Sequence, residues 1–124
     1  REDGVSVRVC CRFRPVNKRE LQEGDKLKKN LNAKQDLITF HGTNQVTVLN
    51  LDKGARPEQV ALDYIFPASA ASTQNEVYDY VCRQTVEDVL RGYNGTVFAY
   101  GQTGSGKTFT MFGPDISDEG MKGV

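Results

Sequence analysis

The chain has 124 residues, sixteen basic and sixteen acidic, so its formal net charge is zero. That length suits one domain or a large piece of one, and an apolar fraction of 38% is that of a folded globular protein rather than a disordered one. Charge balance gives no overall pull towards nucleic acid or an anionic membrane, and no apolar run approaches the roughly 20 residues of a bilayer span.

The opening residues Arg1, Glu2 and Asp3 do not begin a secretory signal, which makes the sequon Asn94-Gly95-Thr96 accidental. Val5, Val7, Val9, Cys11 and Phe13 then alternate with Ser6, Arg8, Cys10 and Arg12, the period of a strand, and Pro15 ends it. Cys10, Cys11 and Cys82 form no CxxC pair and are expected to be the reduced thiols of a cytosolic protein. Residues 16–30 mix both signs of charge around Gly24 and are expected to form a solvated excursion.

Strand-like runs at 37–40 and 46–51 flank His41-Gly42-Thr43-Asn44, the composition of a reversal, and predict a hairpin appended to a main sheet. The lone His41 has no second histidine and no carboxylate cluster beside it, so it is a turn residue rather than a ligand. Leu62, Tyr64 and Phe66 alternate up to Pro67, and a small-residue linker follows. Thr73 and Glu76 have capping-box spacing. Behind them Val77, Tyr78, Val81, Cys82, Val86, Val89 and Leu90 share one broad helical face, predicting a helix to about Leu90 or Arg91 that Gly92 closes. Thr96-Val97-Phe98-Ala99-Tyr100 is a near-continuous apolar run, the pattern of a parallel strand covered on both faces.

Directly after that run, Gly101-Gln102-Thr103-Gly104-Ser105-Gly106-Lys107-Thr108 fits the phosphate-binding pattern GxxxxGK[ST] at every fixed position. Phe109-Thr110-Met111-Phe112 can open the helix that this motif requires behind it. Glycines let the backbone curl so that successive N–H groups converge on phosphate oxygens, while the helix points its positive end at them. Lys107 is placed to reach the β- and γ-phosphates, and the Thr108 hydroxyl to coordinate Mg²⁺. The loop alone does not choose ATP over GTP or name the work done.

The stretch from Tyr93-Asn94-Gly95 through Thr108 is similar throughout to the signature of the kinesin family, and Arg12-Phe13-Arg14-Pro15 resembles that family's Arg-x-Arg-Pro motif. Leu62-Asp63-Tyr64-Ile65-Phe66 resembles its Phe-Asp-x-Val-Phe strand, departing at Leu62, and Glu76-Val77-Tyr78 resembles its first helix. The resemblance implies an α/β P-loop NTPase, with a central, mostly parallel sheet flanked by helices, of which residues 1–124 are the N-terminal part of a single motor domain. It implies ATP or ADP with Mg²⁺ as ligands, held by Gly101, Gln102, Thr103, Gly104, Ser105, Gly106, Lys107 and Thr108. By the same resemblance Lys107 is the catalytic residue, Thr108 is the metal ligand, and Arg12, Arg14, Pro15 and Phe109 border the base. Proline, guanidinium and phenyl planes all offer flat surfaces for stacking a base.

The implied function is microtubule-dependent ATP hydrolysis coupled to movement, in the cytoplasm and on the cytoskeleton. Microtubules would be gripped through other parts of the domain, and dimerisation would run through a coiled coil outside the chain. No nucleic-acid partner and no membrane insertion are expected. The family's switch motifs, Asn-x-x-Ser-Ser-Arg-Ser-His and Asp-Leu-Ala-Gly-x-Glu, do not occur here, so residues 1–124 made alone are expected to be inactive. The alternatives are a nucleotide-dependent microtubule-binding protein without motility and a divergent P-loop NTPase.

Overall fold

A computed structural model describes residues 7–30, 37–49, 56–68, 72–114 and 121–124. The chain divides into two compact units, Arg1–Ala68 and Ser69–Val124.

In the first unit, β1 (Cys10–Arg12) pairs parallel with β5 (Tyr64–Phe66), Cys11 lying opposite Ile65. The Phe13 N–H extends the ladder by donating to the Phe66 carbonyl at 2.9 Å, and the Asp63 carboxylate accepts the Val9 N–H at 2.7 Å. The predicted long alternation therefore yields a three-residue strand; Val7 and Val9 lie exposed before it, and Val5 falls outside the described residues. Partial burial pushes the Cys10 and Cys11 thiols above their usual range. They and Cys82 form no disulfide among the described residues.

The charged segment is where the sequence reading is corrected, because it forms α1 (Lys18–Asn30). Its cause is local. Asn17 Oδ1 accepts the Glu20 N–H at 2.9 Å, and Glu20 Oε2 accepts the Asn17 N–H at 2.9 Å, a reciprocal capping box built on asparagine. Leu21, 56% exposed, shows that the helix is nonetheless solvated where its side chains are described.

The predicted hairpin is present as β2 (Ile38–His41) and β3 (Gln45–Val48), with Gly42 supplying the positive φ of +67° in the reversal. His41 Nε2 lies 2.8 Å from Thr47 Oγ1, which accounts for it within the sheet. A strand the alternation did not mark, β4 (Glu58–Ala61), pairs antiparallel with β3 to complete a three-stranded sheet. Asn50 and Leu51, at the end of the predicted run, lie outside the described residues. Among the described residues of this unit, Val46, Ile65 and Phe66 are the buried apolar side chains, and Phe13 meets Phe40 edge to face at 5.0 Å.

The second unit begins with α2 (Gln74–Val81), whose N-terminus carries the predicted capping box between Thr73 and Glu76. Cys82 separates it from α3 (Arg83–Leu90), although N–H groups of Cys82 and Val86 still donate to carbonyls of Tyr78 and Cys82 at 2.8 and 2.9 Å. The single predicted helix is thus two segments joined by continuous hydrogen bonding. Only its first part is buried: Val77 and Cys82 are covered, whereas Val86, Val89 and Leu90 are exposed. Gly92, at φ +98°, ends α3 with the Tyr93 and Gly92 N–H groups on the Asp88 and Val89 carbonyls, the paired bonds of a Schellman motif.

Residues 96–100 do not form the predicted covered strand. They carry no strand pairing, and Phe98 and Tyr100 are 78% and 98% exposed. A parallel strand takes its hydrogen bonds from neighbours distant in sequence, and no described residue supplies one here. A short helix, α4 (Lys107–Phe112), follows the loop.

Candidate functional site

The loop between residue 100 and α4 turns through Gly104 and Gly106, whose φ values of +80° and +101° suit residues without a Cβ. The Ser105 N–H donates to the Gln102 carbonyl at 3.1 Å and closes the turn. At Gly101 a Cβ would come within 2.5 Å of Ser105 Oγ, so that side chain would have to move. Gly106 stands at the N-cap of α4, where no side chain bonds to the first helical N–H groups.

Lys107, partly buried, is the first residue of α4, and its Nζ donates to the carbonyl of Gly101 at the other end of the loop. Thr103, Gly104, Gly106, Lys107, Thr108 and Phe109 line one pocket of about 320 Å³. Converging backbone donors, a lysine ammonium and a hydroxyl form a donor set fit for a polyphosphate with a hard divalent cation. The glycines leave the loop backbone bare, so a phosphate can approach its N–H groups closely. Mg²⁺ bound there would find its protein ligand in the Thr108 hydroxyl.

Sequence-predicted site residues therefore fall into two groups. Residues 101–109 come together in the second unit, with Thr103, Gly104, Gly106, Lys107, Thr108 and Phe109 on the pocket wall. Arg12, Arg14 and Pro15 stand in the first unit, at the end of β1 and in its link to α1. Partial burial pulls the Arg12 guanidinium below its usual range. Arg14 makes a two-pronged ion pair with Glu20, at 2.9 Å from Nη1 to Oε2 and 2.7 Å from Nη2 to Oε1. The Arg14 hydrogen bonds, helped by the Asn17 N–H, hold the Glu20 carboxyl down at about 2. Sequence reasoning missed Glu20, although the Asn17-x-x-Glu20 spacing announces it.

Residues 12–124 match the family description Kinesin motor domain. The chain belongs to the kinesin motor domain family. A kinesin heavy chain from Syncephalastrum racemosum is 42% identical over 121 residues, covering 98% of this chain and 12% of that protein. Kinesin-related protein 3 of Dictyostelium discoideum is 39% identical over 96% of this chain and 9% of its own length. Human kinesin heavy chain isoform 5A is 41% identical over 96% of this chain and 10% of its own. A solved fast kinesin, whose structure is described with implications for ATPase mechanism and interactions with microtubules, superposes with a TM-score of 0.74 at 39% identity. That match covers 96% of this chain and 30% of the solved one. The chain thus spans about a tenth of the length of these kinesin relatives. Its fold is kinesin-like, the P-loop NTPase fold, carried here by a set of small sheets and helices.

Proposed function

We propose that this chain is the nucleotide-binding, N-terminal part of a motor domain that hydrolyses ATP and converts the cycle into movement along microtubules. The single observation that carries the reading is the loop at 101–108, with Gly104 and Gly106 at positive φ and Lys107 and Thr108 on the pocket wall. Kinesin membership supports ATP and the microtubule over the other P-loop functions. In this reading β1 belongs to a central, mostly parallel sheet flanked by helices, and the parallel pairing of β1 with β5 supports it. The motor would work in the cytoplasm on the cytoskeleton, with dimerisation through a coiled coil elsewhere in the protein.

Backbone N–H groups of Gly104, Gly106, Lys107 and Thr108 bind the phosphates, and the Lys107 ammonium exchanges the Gly101 carbonyl for β- and γ-phosphate oxygens. As charge moves onto the leaving oxygens in phosphoryl transfer, that ammonium stabilises it. Mg²⁺, when bound, would supply charge neutralisation. The Thr108 hydroxyl would hold that cation. Phe109, 37% exposed on the pocket wall, offers a ring to the base, and Arg12, Arg14 and Pro15 are the other residues assigned to it. The planar, two-pronged grip of Glu20 sets the plane in which the Arg14 guanidinium presents its face.

Steady-state ATPase of the intact motor domain, with and without polymerised tubulin, tests the proposal. Strong stimulation by the polymer is the expected result. Hydrolysis that ignores tubulin would overturn the motor reading in favour of a divergent P-loop enzyme, and retained ATP binding without hydrolysis would favour a domain that grips without moving.

A further inference from the structure

Among the described residues, Gln74 is the buried polar side chain, only 5% exposed. Burying a carboxamide is costly unless its hydrogen bonds are made, and here they are. Nε2 donates to the Phe109 carbonyl at 2.7 Å and to the Met121 carbonyl at 3.3 Å, which uses both of its hydrogens. An apolar side chain would fill the same space. What the amide adds is a fixed point between two backbone carbonyls.

The point it fixes matters for the site. Gln74 is the first residue of α2, directly behind the Thr73 cap, so its backbone is anchored by the reciprocal Thr73 and Glu76 bonds. At the other end of the contact, Phe109 lies two residues after Lys107 in α4 and lines the phosphate pocket. A helix of six residues is too short to hold its own geometry, so its orientation comes from tertiary contacts. Beyond the bond of its own C-cap, from the Gly113 N–H to the Phe109 carbonyl, its carbonyls are engaged from outside: Phe109 by Gln74, and Thr110 by the Val124 N–H at 2.8 Å. Gly123 backs against the same turn, where a Cβ would stand 2.3 Å from the Phe112 nitrogen.

Resting on the reading of 101–108 as a triphosphate site, we infer that Gln74 is its positioning residue. The carboxamide sets the angle of α4, and through it the aim of Lys107 and of the loop N–H groups at the phosphates. The ligand class it serves is the polyphosphate rather than the base, because the element it holds carries the phosphate donors.

The test uses the intact motor domain with Gln74→Met, similar in length and without donors, and Gln74→Glu. Affinities for Mg·ATP and for inorganic tripolyphosphate are measured by calorimetry at a temperature where circular dichroism shows each variant fully folded. Losing the bonds is expected to weaken both ligands by roughly ten-fold, the effect of one hydrogen bond of about 1.4 kcal/mol. The Gln74→Glu carboxylate would face two carbonyls at neutral pH, so its affinity should fall further and recover on acidification, when the new carboxyl can donate. That pH dependence, relative to the parent, carries the test where the methionine variant does not fold. Folded variants within about two-fold of the parent for both ligands, or a Gln74→Glu affinity that does not respond to pH, would overturn the inference. Lys107→Ala measured alongside separates the two readings: unchanged affinity there sinks the site itself, while loss there with normal Gln74 variants sinks only the role of Gln74.

Discussion

The guanidinium of Arg14 meets both carboxylate oxygens of Glu20, and the same carboxylate accepts the Asn17 N–H at the start of α1. One side chain thus both caps a helix and orients an arginine. Its carboxyl lies at about 2 against an ordinary 4.5, held down first by Arg14 and then by the Asn17 N–H. A folded-state value below the unfolded one means that the stabilisation is complete above the unfolded value and is lost as pH falls through about 2. A carbon-detected NMR titration should therefore place the Glu20 midpoint far below those of ordinary exposed glutamates, and Arg14→Ala should move it up; an ordinary midpoint in the parent would contradict the pairing. Thr108 gives a second residue-scale expectation. Thr108→Ala removes the hydroxyl proposed to hold the cation, so Mg²⁺ should lose most of its effect on triphosphate affinity while metal-free phosphate binding stays close to that of the parent.

Among the elements, the phosphate loop, the Thr73 cap, the Gly92 stop and the hairpin at Gly42 were legible in sequence. Each is a local pattern whose chemistry acts over a few residues. Thr73→Ala should accordingly cost the domain about 1 kcal/mol in chemical denaturation, the usual loss for a helix cap. What sequence did not reveal depended on partners. β4 is a strand because β3 is beside it, and residues 96–100 are unpaired because apolar composition cannot supply a neighbour. α1 is a different failure: its charge mix and Gly24 concealed a cap that spelled the element out in asparagine rather than serine or threonine. Gly24 lies inside that helix, and a Cβ there would meet nothing within 4 Å. Gly24→Ala should then stabilise the domain by about 0.5–1 kcal/mol, read from the denaturation midpoint; destabilisation would argue that α1 is not helical there.

For the whole molecule, two compact units carry different sets of the residues proposed for the nucleotide, residues 101–109 in one and Arg12, Arg14 and Pro15 in the other. Sequence placed both sets of residues, the first from the loop pattern and the second only through family resemblance, because an arginine and a proline after a strand have no chemistry that names their ligand. The buried Gln74 escaped notice because nothing in a sequence distinguishes a glutamine that spans two carbonyls from one in water. The proposed function nevertheless depends on the loop gripping a triphosphate. Equilibrium titration of the intact domain with Mg·ATP, comparing the parent with Lys107→Ala, tests that claim most directly. Charge-assisted bonds are worth about 1.5–3 kcal/mol each, so the account expects affinity to fall by roughly ten- to a hundred-fold in a variant that still folds. Equal affinity in the folded variant would contradict it, and with it the assignment of residues 101–108 as the nucleotide site.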